Sequence, residues 1–384
     1  MKIAFFTNFI NHHQVHVADE LYHSEGVEYT FVATEPLPDS FKKAGYPDYS
    51  TRPYLLNAYE SAEKKQEALQ LALYADVVII GSASEEYVTK RIQLGKLTFR
   101  YSERWFKSRP WYLSGPRAWV SYYKNHIRYK NKPLYMLAAS AYTANDVYAI
   151  GAYKNKVFKW GYFTTVESGK KVEAPNLGAS TLESTPLMWC ARFLKWKHPE
   201  LPVQLAKKLK EDGYTFTIDM FGSGVEFENT RELIKQLQVE DVVHLRGNLP
   251  NKEILQQMQS HEIFLFTSDQ NEGWGAVLNE AMSSGCAVVS SNRIGSTPFL
   301  IDDGRNGLIF ESKNIDSLYY QVKRLIDDSN LRNQLSREAV RTMQDVWSPQ
   351  NAAKQLLNLI KALQNSDEQS IPLDGPCSRA FPFK

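Results

Sequence analysis

The sequence predicts an α/β protein with two doubly wound, Rossmann-like domains. Its 384 residues are too many for one ordinary core and suit two domains. Short, continuously apolar runs alternate with longer amphipathic runs, as in parallel sheets that carry helices on both faces. This alternation stops near the middle of the chain and then restarts. Because ligands in such sheets bind beyond the carboxyl ends of the strands, we expect both domains to face one cleft.

The first half of the chain supplies the first predicted domain. Its predicted strands are residues 2–9, 29–34, 76–82, 97–102, 133–140 and 156–163, and its predicted helices are 13–23 and 61–75. Residues 164–183 are polar, rich in Gly, Ser and Pro, and without periodicity, which is typical of a linker. We therefore place domain one at 1–170 and the linker at 171–183.

The second half repeats the pattern. Predicted strands are residues 186–193, 215–221, 242–247, 263–269, 286–291 and 307–310, and predicted helices are 199–213, 228–239, 251–260, 276–285 and 315–328. Domain two is thus placed at 184–346. In the remainder, 347–384, an amphipathic helix at 351–364 is expected to return to the first domain, followed by an irregular tail.

Composition excludes several classes of protein. With 43% hydrophobic and 23% charged residues, the chain is globular rather than disordered. It contains no apolar run long enough to span a membrane, and its first residues lack the pattern of a signal peptide. Three widely spaced cysteines favour free thiols over disulfides or a zinc site. We expect a cytoplasmic protein.

One segment, Lys96–Lys132, has ten Lys or Arg residues, one acid and ten aromatic residues. Three interpretations stay open: an ordinary solvated face, a nucleic-acid surface, or a surface that attaches peripherally to the inner face of a membrane. No nucleic-acid motif accompanies the segment, which argues against the second. Cations for anionic headgroups, with aromatic residues at the interface, fit the third.

The most informative stretch is "NEGWGAVLNEAMSSG", residues 271–285. Glu272 follows a predicted buried strand, and Gly273 and Gly275 permit close backbone approach. A helix then begins near Ala276, whose unpaired first amides suit a phosphate. Since a phosphate would repel Glu272 and Glu280, these carboxylates suit sugar hydroxyls instead. A diphosphate between two hydroxyl-bearing rings describes a nucleotide sugar.

Residues 272–291 resemble the E-x7-E signature of the family 4 retaining glycosyltransferases (glycosyl transferases group 1), which have the GT-B fold. The similarity extends over residues 185–347. "ARFLKWK" resembles the segment that holds the donor diphosphate, "DMFGSG" the glycine loop, and "GNLP" part of the base pocket. The donor-binding residues that the resemblance implies are Arg192, Lys197, Gly222, Ser223, Gly224, Asn248, Leu249, Glu272, Gly273, Trp274, Gly275, Ala276, Val277 and Glu280.

The resemblance also implies a mechanism. A retaining, metal-independent transferase would move a sugar from a nucleotide donor, by default a UDP-sugar, to a lipid-linked or glycan acceptor in bacterial cell-surface polysaccharide synthesis. Arg192 and Lys197 would stabilise the leaving diphosphate, Glu272 would hold the transferred sugar and Glu280 the ribose. No D-x-D triad occurs, so no metal is implied, and no cofactor beyond the donor is needed.

The first domain departs from the family pattern. Its first loop has Asn11, His12 and His13 where relatives carry glycines, and Ser102 and Glu103 replace a usual histidine. These five residues are the candidates for acceptor contact, with His13 and Glu103 also candidates for proton handling. The departures leave open a catalytically inactive nucleotide-sugar-binding or scaffold subunit. A dinucleotide dehydrogenase is disfavoured because no G-x-G-x-x-G follows a first strand.

Overall fold

The computed structural model describes residues 1–39, 47–107, 112, 114–164 and 184–383. The chain divides into two compact units, one of Met1–Thr165 with Trp347–Lys384 and one of Val166–Val346. Each unit carries a parallel sheet with helices, so the predicted two-domain α/β fold is confirmed. The predicted linker at 171–183 lies outside the described residues.

The described part of the first unit has a seven-stranded sheet. Its strands are β1 (Lys2–Thr7), β2 (Glu28–Ala33), β3 (Leu55–Asn57), β4 (Val77–Ile80), β5 (Thr98–Ser102), β6 (Leu134–Ala138) and β7 (Val157–Lys159). They pair in parallel in the order β3-β2-β1-β4-β5-β6-β7. The direction of the order reverses between β1 and β4, which creates a crevice at their carboxyl ends.

Helices connect these strands. They are α1 (Val15–His23), α2 (Ala62–Tyr74), α3 (Thr89–Gln93), α4 (Pro116–Asn125) and α5 (Thr143–Ala149). The Ser61 hydroxyl caps α2 by accepting a hydrogen bond from the Lys64 amide at 3.2 Å. Helix α4 was not predicted, because its aromatic residues give no buried stripe: none of its residues is buried.

The second unit has a six-stranded parallel sheet within the described residues. Its strands are β8 (Thr185–Cys190), β9 (Phe216–Phe221), β10 (Val243–Gly247), β11 (Ile263–Phe266), β12 (Ala287–Ser291) and β13 (Leu308–Phe310). The order is β10-β9-β8-β11-β12-β13. This order again reverses direction, here between β8 and β11, so their carboxyl ends border the expected ligand position.

Seven α-helices of the second unit lie among the described residues. They are α6 (Glu200–Glu211), α7 (Phe227–Gln236), α8 (Asn251–Ser260), α9 (Val277–Ser283), α10 (Thr297–Leu300), α11 (Ile315–Asp327) and α12 (Ser329–Arg341). Helix α12 was not predicted, although Asp328 is a recognisable N-cap whose carboxylate accepts a hydrogen bond from the Leu331 amide. The core between sheet and helices is continuous and apolar.

The chain then rejoins the first unit through helix α13 (Pro349–Asn365). This helix packs against α1, and the Trp347 ring before it stacks on Phe163. The return of a C-terminal helix to the first domain is therefore confirmed. The tail continues to the sheet edge, where Arg379 forms an antiparallel bridge with Phe158 of β7. Covering that edge protects its unpaired backbone groups.

Candidate functional site

The centre of the predicted donor site is a buried ion pair. The chain leaves β8 and forms a short 3₁₀ turn, Lys195–Lys197, while Glu272 follows β11. The Lys197 ammonium donates a hydrogen bond to Oε2 of Glu272, and both side chains are about nine-tenths buried. The Ser268 hydroxyl donates to the same oxygen at 2.9 Å. Two residues 75 positions apart are thus joined at the switch point.

Neighbouring side chains fix the position of Lys197. The Thr267 hydroxyl donates to the Lys197 carbonyl at 2.7 Å, and the indole of Trp189 donates to Thr267 at 2.9 Å. The ammonium lies 4.4 Å from the centroid of the Trp196 ring, a cation–π arrangement. The contributions of Trp189 and Thr267 were not predicted from the sequence, where both are simply parts of strand-like runs.

The glycine turn before α9 is held by packing. Gly275 has φ +88°, and a Cβ there would lie 2.4 Å from the Phe266 ring. Gly273 is buried. Trp274 is fully buried, and its indole donates to Oδ1 of Asn279 at 2.8 Å. The Trp274 ring therefore anchors the turn inside the unit, and the donor contact of this residue stays a prediction.

The helix that follows presents the second acid. Ala276 caps α9, Val277 is its first residue, and Glu280 lies in the first turn. Oε1 of Glu280 accepts a hydrogen bond from the side-chain amide of Asn251 at 3.0 Å. Burial raises the pKa of Glu280 to about 7, against a smaller opposing effect of Asn251. Burial, and then the charge of Glu280, raise the pKa of the Cys190 thiol to about 12.

The glycine loop after β9 packs directly against the backbone of the segment that carries Arg192. Gly222 has φ +127°, and a Cβ there would lie 2.0 Å from the Ala191 carbonyl oxygen. Gly224 has φ +152°, and its Cβ would lie 2.3 Å from the Phe193 carbonyl oxygen. Only glycine fits either position, because backbone atoms cannot move aside.

Polar groups of this loop have defined partners. The Ser223 carbonyl accepts a hydrogen bond from the Phe193 amide at 2.8 Å, and the Ser223 hydroxyl accepts one from the Asn248 amide group at 2.8 Å. Leu249 is partly buried beside them. Arg192 is exposed, and its guanidinium has no hydrogen-bond or ion-pair partner among the described residues. It is available to an anion.

The first unit contains a cavity of about 520 Å³ at its own switch point. Of the predicted acceptor residues, Asn11, Ser102 and Glu103 line it, whereas His12 and His13 do not. The His13 ring stacks on Tyr162, which does line the cavity, with a centroid separation of 4.6 Å. The structure thus places three of the five predicted residues at this cavity.

Glu103 is part of a hydrogen-bond network at this cavity. It accepts from the Tyr162 hydroxyl at 2.5 Å and from the Lys107 ammonium at 2.9 Å. The Trp105 indole donates to the Ser102 hydroxyl at 2.9 Å, and that hydroxyl donates to the Glu103 carbonyl at 2.8 Å. The network holds the Glu103 carboxylate at the cavity wall.

The two histidines of the first loop are uncharged at neutral pH. Burial lowers the pKa of His12 to about 4, with a smaller effect from His16. Burial also lowers the pKa of His13 well below its usual value, with His12 next in importance. Neither imidazole therefore supplies a cation for a donor phosphate.

Among the described residues, only part of the basic segment Lys96–Lys132 offers an exposed surface. Arg100, Arg104 and Lys107 form ion pairs with carboxylates of the first unit, so they are not free cations. On α4, by contrast, Val120 and Tyr123 are exposed. Residues 108–111 and 113 of the segment lie outside the described residues.

The second unit carries the sequence signature of one family. Residues 183–342 match the family of glycosyl transferases group 1. We call them the group 1 region, and they include every predicted donor-binding residue. No helix in the described part of the chain combines the length and apolar character needed to cross a membrane.

Two curated relatives illustrate the similarity in sequence. The putative colanic acid biosynthesis glycosyltransferase WcaL of Salmonella typhimurium is 26% identical over 237 residues, which cover 59% of this chain and 56% of WcaL. An N-acetylgalactosamine-N,N'-diacetylbacillosaminyl-diphospho-undecaprenol 4-alpha-N-acetylgalactosaminyltransferase of Campylobacter jejuni is 30% identical over 175 residues, covering 44% of this chain and 46% of that protein. The matches span about half the length of these relatives.

Similarity to solved structures extends beyond the group 1 region. The crystal structure of HepE from Anabaena, in complex with UDP and glucose, aligns with a TM-score of 0.62 at 14% identity. The alignment covers 94% of this chain and 100% of HepE. At this identity the comparison concerns the fold, and it supports assignment of both α/β units to the GT-B class.

Proposed function

We propose that this chain is a retaining glycosyltransferase that uses a nucleoside diphosphate sugar, with UDP as the favoured nucleotide. The acceptor is a lipid-linked or other glycan of cell-surface polysaccharide synthesis. The observation that carries the proposal is the buried pair of Lys197 and Glu272 at the switch point. The unpaired guanidinium of Arg192 lies on the same loop as Lys197. A cation for phosphate and a carboxylate for sugar lie side by side there.

Each of the two glutamates keeps one carboxylate oxygen that can accept hydrogen bonds from a bound nucleotide sugar. In Glu272 both internal hydrogen bonds go to Oε2, and Oε1 has no hydrogen-bond partner among the described residues. In Glu280 the Asn251 bond goes to Oε1, and Oε2 is likewise without a partner within the described ranges. Each carboxylate can therefore accept hydrogen bonds from hydroxyls, Glu272 from the transferred sugar and Glu280 from the ribose.

In the proposed reaction, the bond between the anomeric carbon and the diphosphate oxygen breaks, and the electron pair leaves with the diphosphate. Lys197 and Arg192 stabilise the negative charge that grows there, a contribution of roughly 3–4 kcal/mol per preorganised group. The acceptor hydroxyl oxygen bonds to the anomeric carbon on the same face. Its proton passes to the departing phosphate oxygen. Lys197 and Arg192 take the electrostatic role that a metal ion fills in other transferases.

Names of related proteins support the acceptor class. WcaL is named for colanic acid biosynthesis, and the Campylobacter enzyme for a diphospho-undecaprenol-linked sugar. Helix α4 offers a surface for a lipid-bound acceptor, because exposed Val120 and Tyr123 lie beside Arg117 and Lys124. We therefore include peripheral attachment to an anionic membrane. Sedimentation with anionic vesicles tests it: Val120→Asp should reduce the bound fraction, and an unchanged fraction would contradict the attachment.

Turnover of labelled nucleotide sugars tests the enzyme itself. The purified chain should hydrolyse or transfer one member of a panel, and Glu272→Ala should reduce turnover at least about a hundredfold, the loss expected for a group that acts on the transition state. Transfer should retain anomeric configuration by NMR. Tight donor binding without turnover would instead identify an inactive nucleotide-sugar-binding subunit, and inversion would refute the retaining mechanism.

A further inference from the structure

The cavity of the first unit is rich in charged groups, and each of its three cations is paired with a carboxylate. Five charged side chains line it: Glu85, Arg100, Glu103, Arg104 and Lys107. Its volume, about 520 Å³, falls in the range of small-molecule sites, which hold about 300–1000 Å³. The pairing of these charges decides which ligand it suits.

Arg100 and Glu85 form the strongest pair. Nη1 and Nη2 of Arg100 donate to Oε1 and Oε2 of Glu85, each at 2.7 Å. Nη2 also donates to the Asn125 carbonyl at 3.1 Å. The Arg100 side chain is about nine-tenths buried, whereas 38% of the Glu85 side chain is exposed. The guanidinium is thus neutralised by a carboxylate on its solvent side.

The other two cations are also paired. Lys107 donates to Glu103 at 2.9 Å, and Arg104 lies 3.5 Å from Asp146, whose second oxygen accepts from the Trp105 amide. His126 adds no charge, because burial and then Arg100 lower its pKa to about 2. Among the described lining residues, each of the three cations therefore has a carboxylate partner.

The remaining wall suits hydroxyls and a ring face. Asn8, Asn11, Ser82 and Ser102 supply uncharged polar groups, and Trp105 supplies an aromatic surface. Glu85 and Glu103 can accept hydrogen bonds from hydroxyls while keeping their cations. A phosphate or carboxylate would have to displace one of these carboxylates or lie against it, at an electrostatic cost.

We propose that this cavity binds an uncharged sugar ring, namely the terminal ring of the acceptor, and discriminates against sugars that carry a phosphate or carboxylate there. The identification of this sugar as the acceptor rests on the proposed function, but the preference for an uncharged ring is argued from the cavity alone. A lipid-linked glycan satisfies it, since its diphosphate lies at the end remote from the terminal ring.

Calorimetric titration of the full chain tests the preference. The probes are methyl hexopyranosides and short neutral oligosaccharides, each compared with its 6-phosphate or uronic acid counterpart. At least one neutral sugar should bind, and its charged counterpart should bind roughly tenfold or more weakly, as expected for a repelled charged group. Equal or tighter binding of the charged sugars, or no binding by any neutral probe, would overturn the proposal.

A matched pair of variants sharpens the test. Glu85→Gln frees the Arg100 charge, so binding of neutral sugar should weaken while binding of the 6-phosphate counterpart should strengthen by several-fold. A purely structural defect would weaken both. Glu86→Gln is the control, because Glu86 pairs with Lys65 and does not line the cavity; it should change neither affinity.

These measurements need no donor. Sugar binding with the predicted preference but without turnover would leave the cavity assignment intact and refute the proposed enzyme. Turnover with an acceptor whose terminal ring carries phosphate would leave the enzyme intact and refute the cavity assignment.

Discussion

The candidate sites of the two units are built in different ways. In the second unit, the groups lie on a few short loops where glycines are forced by close backbone approach, as at Gly222 against Ala191. In the first unit, the cavity is lined mainly by side chains at and beyond the carboxyl ends of β1, β4 and β5. The proposed diphosphate site thus leaves a backbone signature in the sequence, whereas the proposed sugar cavity leaves only scattered polar residues.

The largest effect is expected from breaking the buried pair. Lys197→Ala should lower the free energy of unfolding by roughly 3–5 kcal/mol, because Glu272 would stay buried without its partner. Urea denaturation measures the loss. Lys195→Ala, an exposed lysine of the same turn, is the control and should change stability by less than about 0.5 kcal/mol. Equal losses would show that the pair does not organise the second site.

An intermediate effect is expected from the glycine loop. Gly222→Ala should destabilise the chain by roughly 2–4 kcal/mol, because its Cβ would overlap a backbone carbonyl in addition to the strain of positive φ. Gly213 also has positive φ but open space around it, so Gly213→Ala isolates the strain, about 1 kcal/mol. Thermal denaturation of both variants gives the difference. Similar losses would argue against a packed phosphate loop.

The smallest effect is a pH dependence of donor affinity. Since the pKa of Glu280 is about 7 and a charged carboxylate binds hydroxyls better, affinity for a nucleotide sugar should rise about tenfold from pH 6 to pH 8. Calorimetry at several pH values measures it, and Glu280→Gln should flatten the profile. A profile that persists in this variant would assign the titration to another group.

Glu280 also affects the free energy of unfolding. Folding favours its protonated form, whereas donor binding favours its charged form. Its folded pKa lies above its unfolded value of 4.5, so the folded state binds more protons between these values. This contribution to stability is complete below about pH 4.5 and is lost as pH rises towards 7. A group that favours ligand in one protonation state and folding in the other is expected at a binding site.

Much of the second site could be predicted from the sequence. Glu272 and Glu280 follow from the strand–glycine–helix pattern, and Arg192 and Lys197 follow from the family resemblance; the structure brings Lys197 and Glu272 together. Their supports could not be predicted, because Ser268, Thr267 and Asn251 contact them through side chains that have no distinctive spacing. The buried Trp274 shows the converse, a residue inside the motif whose ring serves packing.

The alternation of strands and helices, the two α/β units and the loops that carry the phosphate-type motifs all follow from the amino-acid sequence alone. Those features depend on local periodicity and on glycine geometry. Three further features arise only when the chain is folded: Lys197 pairs with Glu272, His13 stacks on Tyr162 without lining the cavity itself, and Arg104 pairs with Asp146. These two charge pairs join residues 75 and 42 positions apart in the chain, and no local pattern encodes them.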